Sequence, residues 1–178
     1  MKILFQLAII LSLMLIFLSA QSVTKSEDYH LGPGDKIRVT VYGHEDLSGK
    51  FEIDGTGRLS LPLIPSVNAT GLTELRLEQA IIKKLKPDYL VNPRVSVEIL
   101  SYRPFYIIGE VKNPGSYSYV NGMAVVNAVA VAGGYTYRAK TSAVTVIREK
   151  DQNRKKMEVD QNTKIFPGDI IEVPERWF

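Results

Sequence analysis

The residues that could do metal or proton chemistry in this chain are few, and their spacing argues against most of it. The two histidines, His30 and His44, read as loop or loop-edge residues. Neither has a second histidine at helical spacing or a carboxylate pattern typical of a metal site. Glu45 and Asp46 are sequence neighbours in a loop, whereas glycosidase chemistry needs two carboxylates held across a cleft. The glycines at positions 32, 34, 55 and 57 make no dinucleotide fingerprint, and no G-x-S-x-G elbow or Walker-type loop is present. Absence of cysteine removes thiol nucleophiles, disulfides and cysteine-based metal sites. The expectation is a protein without enzymatic activity, cofactor or metal. What remains is binding surface. Tyr102, Tyr106, Tyr117, Tyr119, Tyr135 and Tyr137 cluster in the C-terminal half with Arg103 and Arg138. Tyrosine offers a flat apolar face and a hydroxyl, which suits sugar stacking and protein interfaces alike. Arg103, Tyr135, Tyr137 and Arg138 are the candidate ligand-binding residues, although strand propensity alone could also explain the tyrosines.

The elements that must position these residues follow from periodicity. Ile37, Val39 and Val41 alternate with polar residues as a half-buried strand. Phe51-Glu52-Ile53 predicts a strand, Asp54-Gly55-Thr56-Gly57 a turn, and Leu59-Ser60-Leu61 the partner strand. Thr73 is the expected N-cap of a helix with Leu77, Ile81 and Leu85 on its apolar face. Lys83, Lys84 and Lys86 suit the helix C-terminus, where Pro87 stops it. Val95, Val97 and Ile99 alternate again. A second unit begins near Arg103-Pro104, with a strand over 105–111, a turn at Asn113-Pro114-Gly115, and a returning strand carrying Tyr117 and Tyr119. Met123 to Ala132 reads as a helix ended by Gly133-Gly134. Residues 144–147, 157–159 and 170–173 read as strands, with Arg154-Lys155-Lys156 at a solvated hairpin tip. The whole predicts an α+β fold: small mixed sheets, each packed on one main helix.

One spelling occurs twice. Pro33-Gly34-Asp35 and Pro167-Gly168-Asp169 each open a P-G-D-x-I-x-V run. Proline pre-sets a turn dihedral, glycine accepts a positive φ, and aspartate can bond nearby amides. These six residues, with Gly109, Gly115, Gly133 and Gly134, are the expected structural motif positions, one P-G-D turn per unit.

The compartment is read from the start of the chain. Lys2 precedes an apolar run from Ile3 to Leu18, followed by small residues at Ser19, Ala20 and Ser22. That is the pattern of a secretory signal peptide. A retained anchor is the alternative, because the run approaches the ~17-residue lower limit for spanning a bilayer. Loss of Lys2 would lower the formal charge from +3 to about +2, too little to argue for a nucleic-acid partner. The expected organisation is a signal peptide at 1–22, a spacer at 23–28, and units at 29–102 and 103–176.

These motifs, in this order, resemble the bacterial polysaccharide biosynthesis/export family. Tyr29-His30-Leu31-Gly32-Pro33-Gly34-Asp35-Lys36-Ile37 is similar to its opening motif, and residues 53–64 to its next block. Asn92-Pro93-Arg94-Val95-Ser96-Val97 resembles the close of the export domain. Residues 106–117, Ala132-Gly133-Gly134-Tyr135-Thr136 and residues 166–171 resemble a soluble-ligand-binding β-grasp (SLBB) domain. The resemblance implies an exported, envelope-associated component of capsule or exopolysaccharide export. It also implies a homo-oligomeric ring, an inner-membrane polysaccharide co-polymerase as partner and polysaccharide as cargo. The chain stops at Phe178 just after its last strand, so a separate outer-membrane channel is expected. A β-grasp module that binds a ligand or glycan without transporting it is the alternative.

Overall fold

The computed structural model describes residues 29–151 and 153–176; the expected signal peptide, the spacer and the terminal Trp177-Phe178 lie outside them. The alternation of Ile37, Val39 and Val41 produces strand β1 (Lys36–Val41), all three side chains buried. β1 is the centre of a three-stranded antiparallel sheet, flanked by β2 (Gly49–Glu52) and β5 (Val95–Ser101). Helix α1 (Glu74–Leu85) lies against β5. Its N-cap is Thr73, whose hydroxyl accepts from the Arg76 amide at 3.3 Å. Leu77, Ile81 and Leu85 bury its apolar stripe in a core that also holds Leu31, Ile53 and Leu59.

The expected pairing of 51–53 with 59–61 is corrected by the structure. β2 pairs with β1, while β3 (Arg58–Leu59) pairs with β4 (Val67–Asn68). The Asp54 turn forms, its carboxylate accepting from the Thr56 amide at 2.8 Å and the Arg58 amide at 3.0 Å. It redirects the chain out of the sheet, however, and the loop containing Pro62 and Pro65 reverses it. Those prolines cannot supply ladder amides, so the hairpin closes beyond them.

Phe105 opens the second unit. β6 (Phe105–Gly109), β7 (Gly115–Tyr117), β8 (Thr145–Ile147), β9 (Lys156–Glu158) and β10 (Ile170–Val173) form a sheet of order β7-β6-β10-β8-β9. β6 and β10 run parallel and the other pairs antiparallel. Helix α2 is shorter than its sequence pattern, running Val125–Val131 with Val125, Ala128 and Val129 buried. Gly134 ends it by donating its amide to the Val129 carbonyl at 2.9 Å. Val111 and Tyr119, both read as strand residues, lie outside the strands; Tyr119 packs into this second core. Among the described residues, two antiparallel sheets, one mixed sheet and two α-helices make an α+β fold. Among the described residues, no helix is long and apolar enough to cross a membrane.

Candidate functional site

The two P-G-D turns fold alike. The aspartate carboxylate accepts from the amide three residues earlier, Gly32 for Asp35 and Phe166 for Asp169, each at 2.8 Å. The glycine amide donates to the adjoining segment, Gly34 to Ile53 at 2.8 Å and Gly168 to Pro104 at 2.9 Å. Both glycines adopt positive φ, +87° and +82°, a conformation that costs glycine nothing and side-chain-bearing residues a strain. A Cβ on Gly168 would also come within 2.3 Å of the Glu149 carboxylate.

These turns bury their aspartates, 0% and 1% exposed, and a buried carboxylate needs donors or a cation. Arg103, in the short link between β5 and β6, meets Asp35. Its backbone amide donates to Asp35 Oδ1 at 2.8 Å and its Nη1 to Oδ2 at 3.2 Å. The same Nη1 donates to the Tyr29 hydroxyl at 2.6 Å, and that hydroxyl donates to Asp35 Oδ2 at 2.7 Å. Arg103 Nε then donates to Glu149 at 2.7 Å, so the guanidinium ties the first turn to the loop after β8. The preceding residue, Arg148, pairs with Asp169 and stacks over the Phe166 ring, 4.9 Å from its centroid. Tyr29, Tyr102 and Tyr119 continue the junction through edge contacts at 4.8 and 5.4 Å between ring centres.

The electrostatics follow from burial. Burial, then the hydrogen bond to Asp35, pushes the Tyr29 hydroxyl well above the ordinary tyrosine range. Burial opposes the charge on Arg103, but Tyr29, Asp35 and Glu149 together hold its pKa above the ordinary arginine value. Asp169 is raised because burial outweighs the Phe166 amide and Arg148.

A cleft of about 720 Å³ opens beside this junction. Tyr29, His30, Thr73, Leu75 and Arg76 form its wall from the first unit; Tyr119, Arg148, Lys150 and Phe166 face them from the second. A smaller cavity of about 400 Å³ also has Arg103 in its wall, with Tyr106, Ile147 and Ile170. No group of three or more metal-ligating side chains occurs among the described residues.

Residues 23–100 match the family described as polysaccharide biosynthesis/export protein, and residues 104–160 match the SLBB domain. The chain carries, in order, a polysaccharide biosynthesis/export domain and an SLBB domain. Exopolysaccharide production protein ExoF of Rhizobium meliloti is 33% identical over 128 residues, covering 65% of this chain and 30% of that protein. Polysialic acid transport protein KpsD of Escherichia coli is 32% identical over 118 residues, 65% of this chain and 21% of its own length. EPS I polysaccharide export outer membrane protein EpsA of Ralstonia solanacearum is 25% identical over 190 residues, 88% of this chain and 50% of that protein. The chain thus spans half or less of the length of these relatives.

The candidate residues fall at opposite ends of the second sheet. Arg103 sits before the starts of the parallel β6 and β10, only 8% exposed and committed to Asp35 and Glu149. Tyr135, Tyr137 and Arg138 lie beyond the other end, where Tyr135 bridges to Val111 and Arg138 pairs with Glu175. There Tyr137 is 81% exposed, while the Tyr135 hydroxyl is buried without a partner among the described residues. Gly109 closes β6 against Val173, Gly115 opens β7, and Gly133 and Gly134 end α2. The sequence reading missed Tyr29, Arg76, Arg148, Glu149 and Lys150. One signal was available for Arg148, since a buried motif aspartate requires a cation from elsewhere in the chain.

Proposed function

We propose that this chain is a non-enzymatic, exported component of capsular or exopolysaccharide export, working in the periplasm and at the outer membrane. The observation that carries the reading is the presence of both matched domains, in order, across one short chain. The names of the relatives, concerned with exopolysaccharide production, polysialic acid transport and polysaccharide export, support the same role. A conduit built from copies of a small chain is a ring, which head-to-tail contacts form when their rotation closes. Exposed apolar side chains occur on both units, Leu63 and Val91 on the first, Tyr106 and Ile108 on the second, and give such contacts material. The partners in this reading are further copies of the chain, an inner-membrane co-polymerase, a separate outer-membrane channel and the polysaccharide cargo. The ligand-binding role of Arg103, Tyr135, Tyr137 and Arg138 becomes a division of labour. Arg103 holds the two units together, while Tyr137 and Arg138 offer surface at the far end.

The test is extracellular polysaccharide from a clean deletion strain and its complemented parent. Loss of surface polymer, restored by complementation, is the expected outcome. Parental polymer levels in a deletion strain without a paralogue would overturn the export role.

A further inference from the structure

We propose that the cleft between the two units is a binding site for an acidic saccharide, with Arg76 and Lys150 meeting its carboxylates. That the ligand is anionic rests on the cleft; that it is a saccharide rests on the export reading above. The volume of about 720 Å³ lies in the range of small-molecule sites, roughly 300–1,000 Å³. Its lining carries four cations, Arg76, Arg103, Arg148 and Lys150, and two carboxylates, Glu149 and Asp169. Both carboxylates are already bonded to arginine, Glu149 to Arg103 and Asp169 to Arg148. Arg76 and Lys150, one from each wall, are exposed and form no ion pair among the described residues.

The acids that would neutralise Arg76 face elsewhere. Glu74 and Glu78, its neighbours on α1, accept from the Ile99 and Val97 amides at 3.1 and 2.9 Å. Thr73, Leu75 and Arg76 bring the first turn of α1 to the cleft, the end of a helix that favours negative charge. His30, on the same wall, has a buried Nδ1 with no partner among the described residues. Phe166, half-buried under Arg148, adds apolar ring surface to the same lining.

Calorimetric titration of the full mature chain with a short oligogalacturonide, its neutral methyl ester and inorganic phosphate tests this. The oligogalacturonide should bind and weaken with added salt, while the ester binds much less. Arg76→Glu and Lys150→Glu, whose exposed sites leave the fold intact by circular dichroism, should each weaken it about tenfold, the weight of one charged hydrogen bond. Equal binding of acid and ester, or binding unchanged in both variants, would overturn the site. Displacement by inorganic phosphate at the same affinity would overturn its assignment to a saccharide. Failure here alongside loss of polymer in the deletion strain removes the site and leaves the export role. Variant-sensitive binding with unchanged polymer would do the reverse.

Discussion

Asp35 and Asp169 occupy the same place in the same turn, each bonded to the amide three residues earlier and each paired with an arginine. Asp54 also anchors a turn, but in solvent, where the Thr56 hydroxyl and the Arg58 and Thr56 amides stabilise its charged form. Hydrogen bonds to the anion, the Thr56 hydroxyl first, therefore lower its pKa below the usual 3.8. Asp169 moves the other way, because burial disfavours its charge more than its donors restore it. The consequences for stability have opposite signs. Asp54 contributes above the ordinary aspartate range, and its contribution is lost as pH falls through its depressed value. Asp169 keeps its proton to higher pH in the folded chain, so its contribution is complete below the ordinary range and lost as pH rises through its own raised value. Carboxyl-carbon NMR titration of the folded chain should find Asp54 titrating below, and Asp169 above, an unfolded reference. Coincident titrations, or the reverse order, would show that hydrogen bonding rather than burial controls Asp169.

At the scale of elements, the first sheet has an edge that no strand covers among the described residues. One side of β5 pairs with β1; on the other, the Val97 and Ile99 amides donate to Glu78 and Glu74 of α1. The helix thus seals the strand it packs on, one of the ways an exposed edge is kept from pairing with another chain. Glu78→Ala should cost about 1–3 kcal/mol in chemical denaturation, the penalty for a partly buried amide left without an acceptor. Glu74→Ala, at a more exposed position, should cost less, and amide exchange should quicken at Val97 in the Glu78 variant alone. Equal small effects would mean that water replaces both carboxylates. The helix behind this seal was legible in the sequence, since the Thr73 cap and the Leu77-Ile81-Leu85 stripe are local signals. The glutamate seal was not, because Glu78 and Val97 meet only when helix and strand pack together. Likewise the 51–61 hairpin misled, its turn chemistry being real while the pairing was decided by the loop at Pro62 and Pro65. The site followed the same division. The P-G-D turns could be read directly, but the arginines that satisfy them come from far along the chain, 68 residues away for Arg103.

For the whole molecule, the junction makes the two units depend on one another. Arg103 belongs to the link between them, yet its guanidinium spans from Asp35 in the first unit to Glu149 in the second. Replacing it removes the cation from a carboxylate that has no exposure to water. Breaking a buried pair from one side typically costs about 3–5 kcal/mol, because the remaining charge is left uncompensated. The loss should fall on the first unit, since the second retains its own pair between Arg148 and Asp169. In urea, amide signals from Val39 and Val146, one in each core, should disappear together in the parent chain. In Arg103→Ala the Val39 signal should be lost at lower urea than that of Val146. Arg103→Lys should restore little of the difference, because an ammonium cannot reproduce the fork that holds Asp35, Tyr29 and Glu149 at once. Adding Asp35→Asn to Arg103→Ala should recover part of it by removing the stranded charge. If both signals still vanish together and the midpoint barely moves, the units are coupled through the Tyr29-Tyr102-Tyr119 rings instead, and the ion pair is incidental to their union.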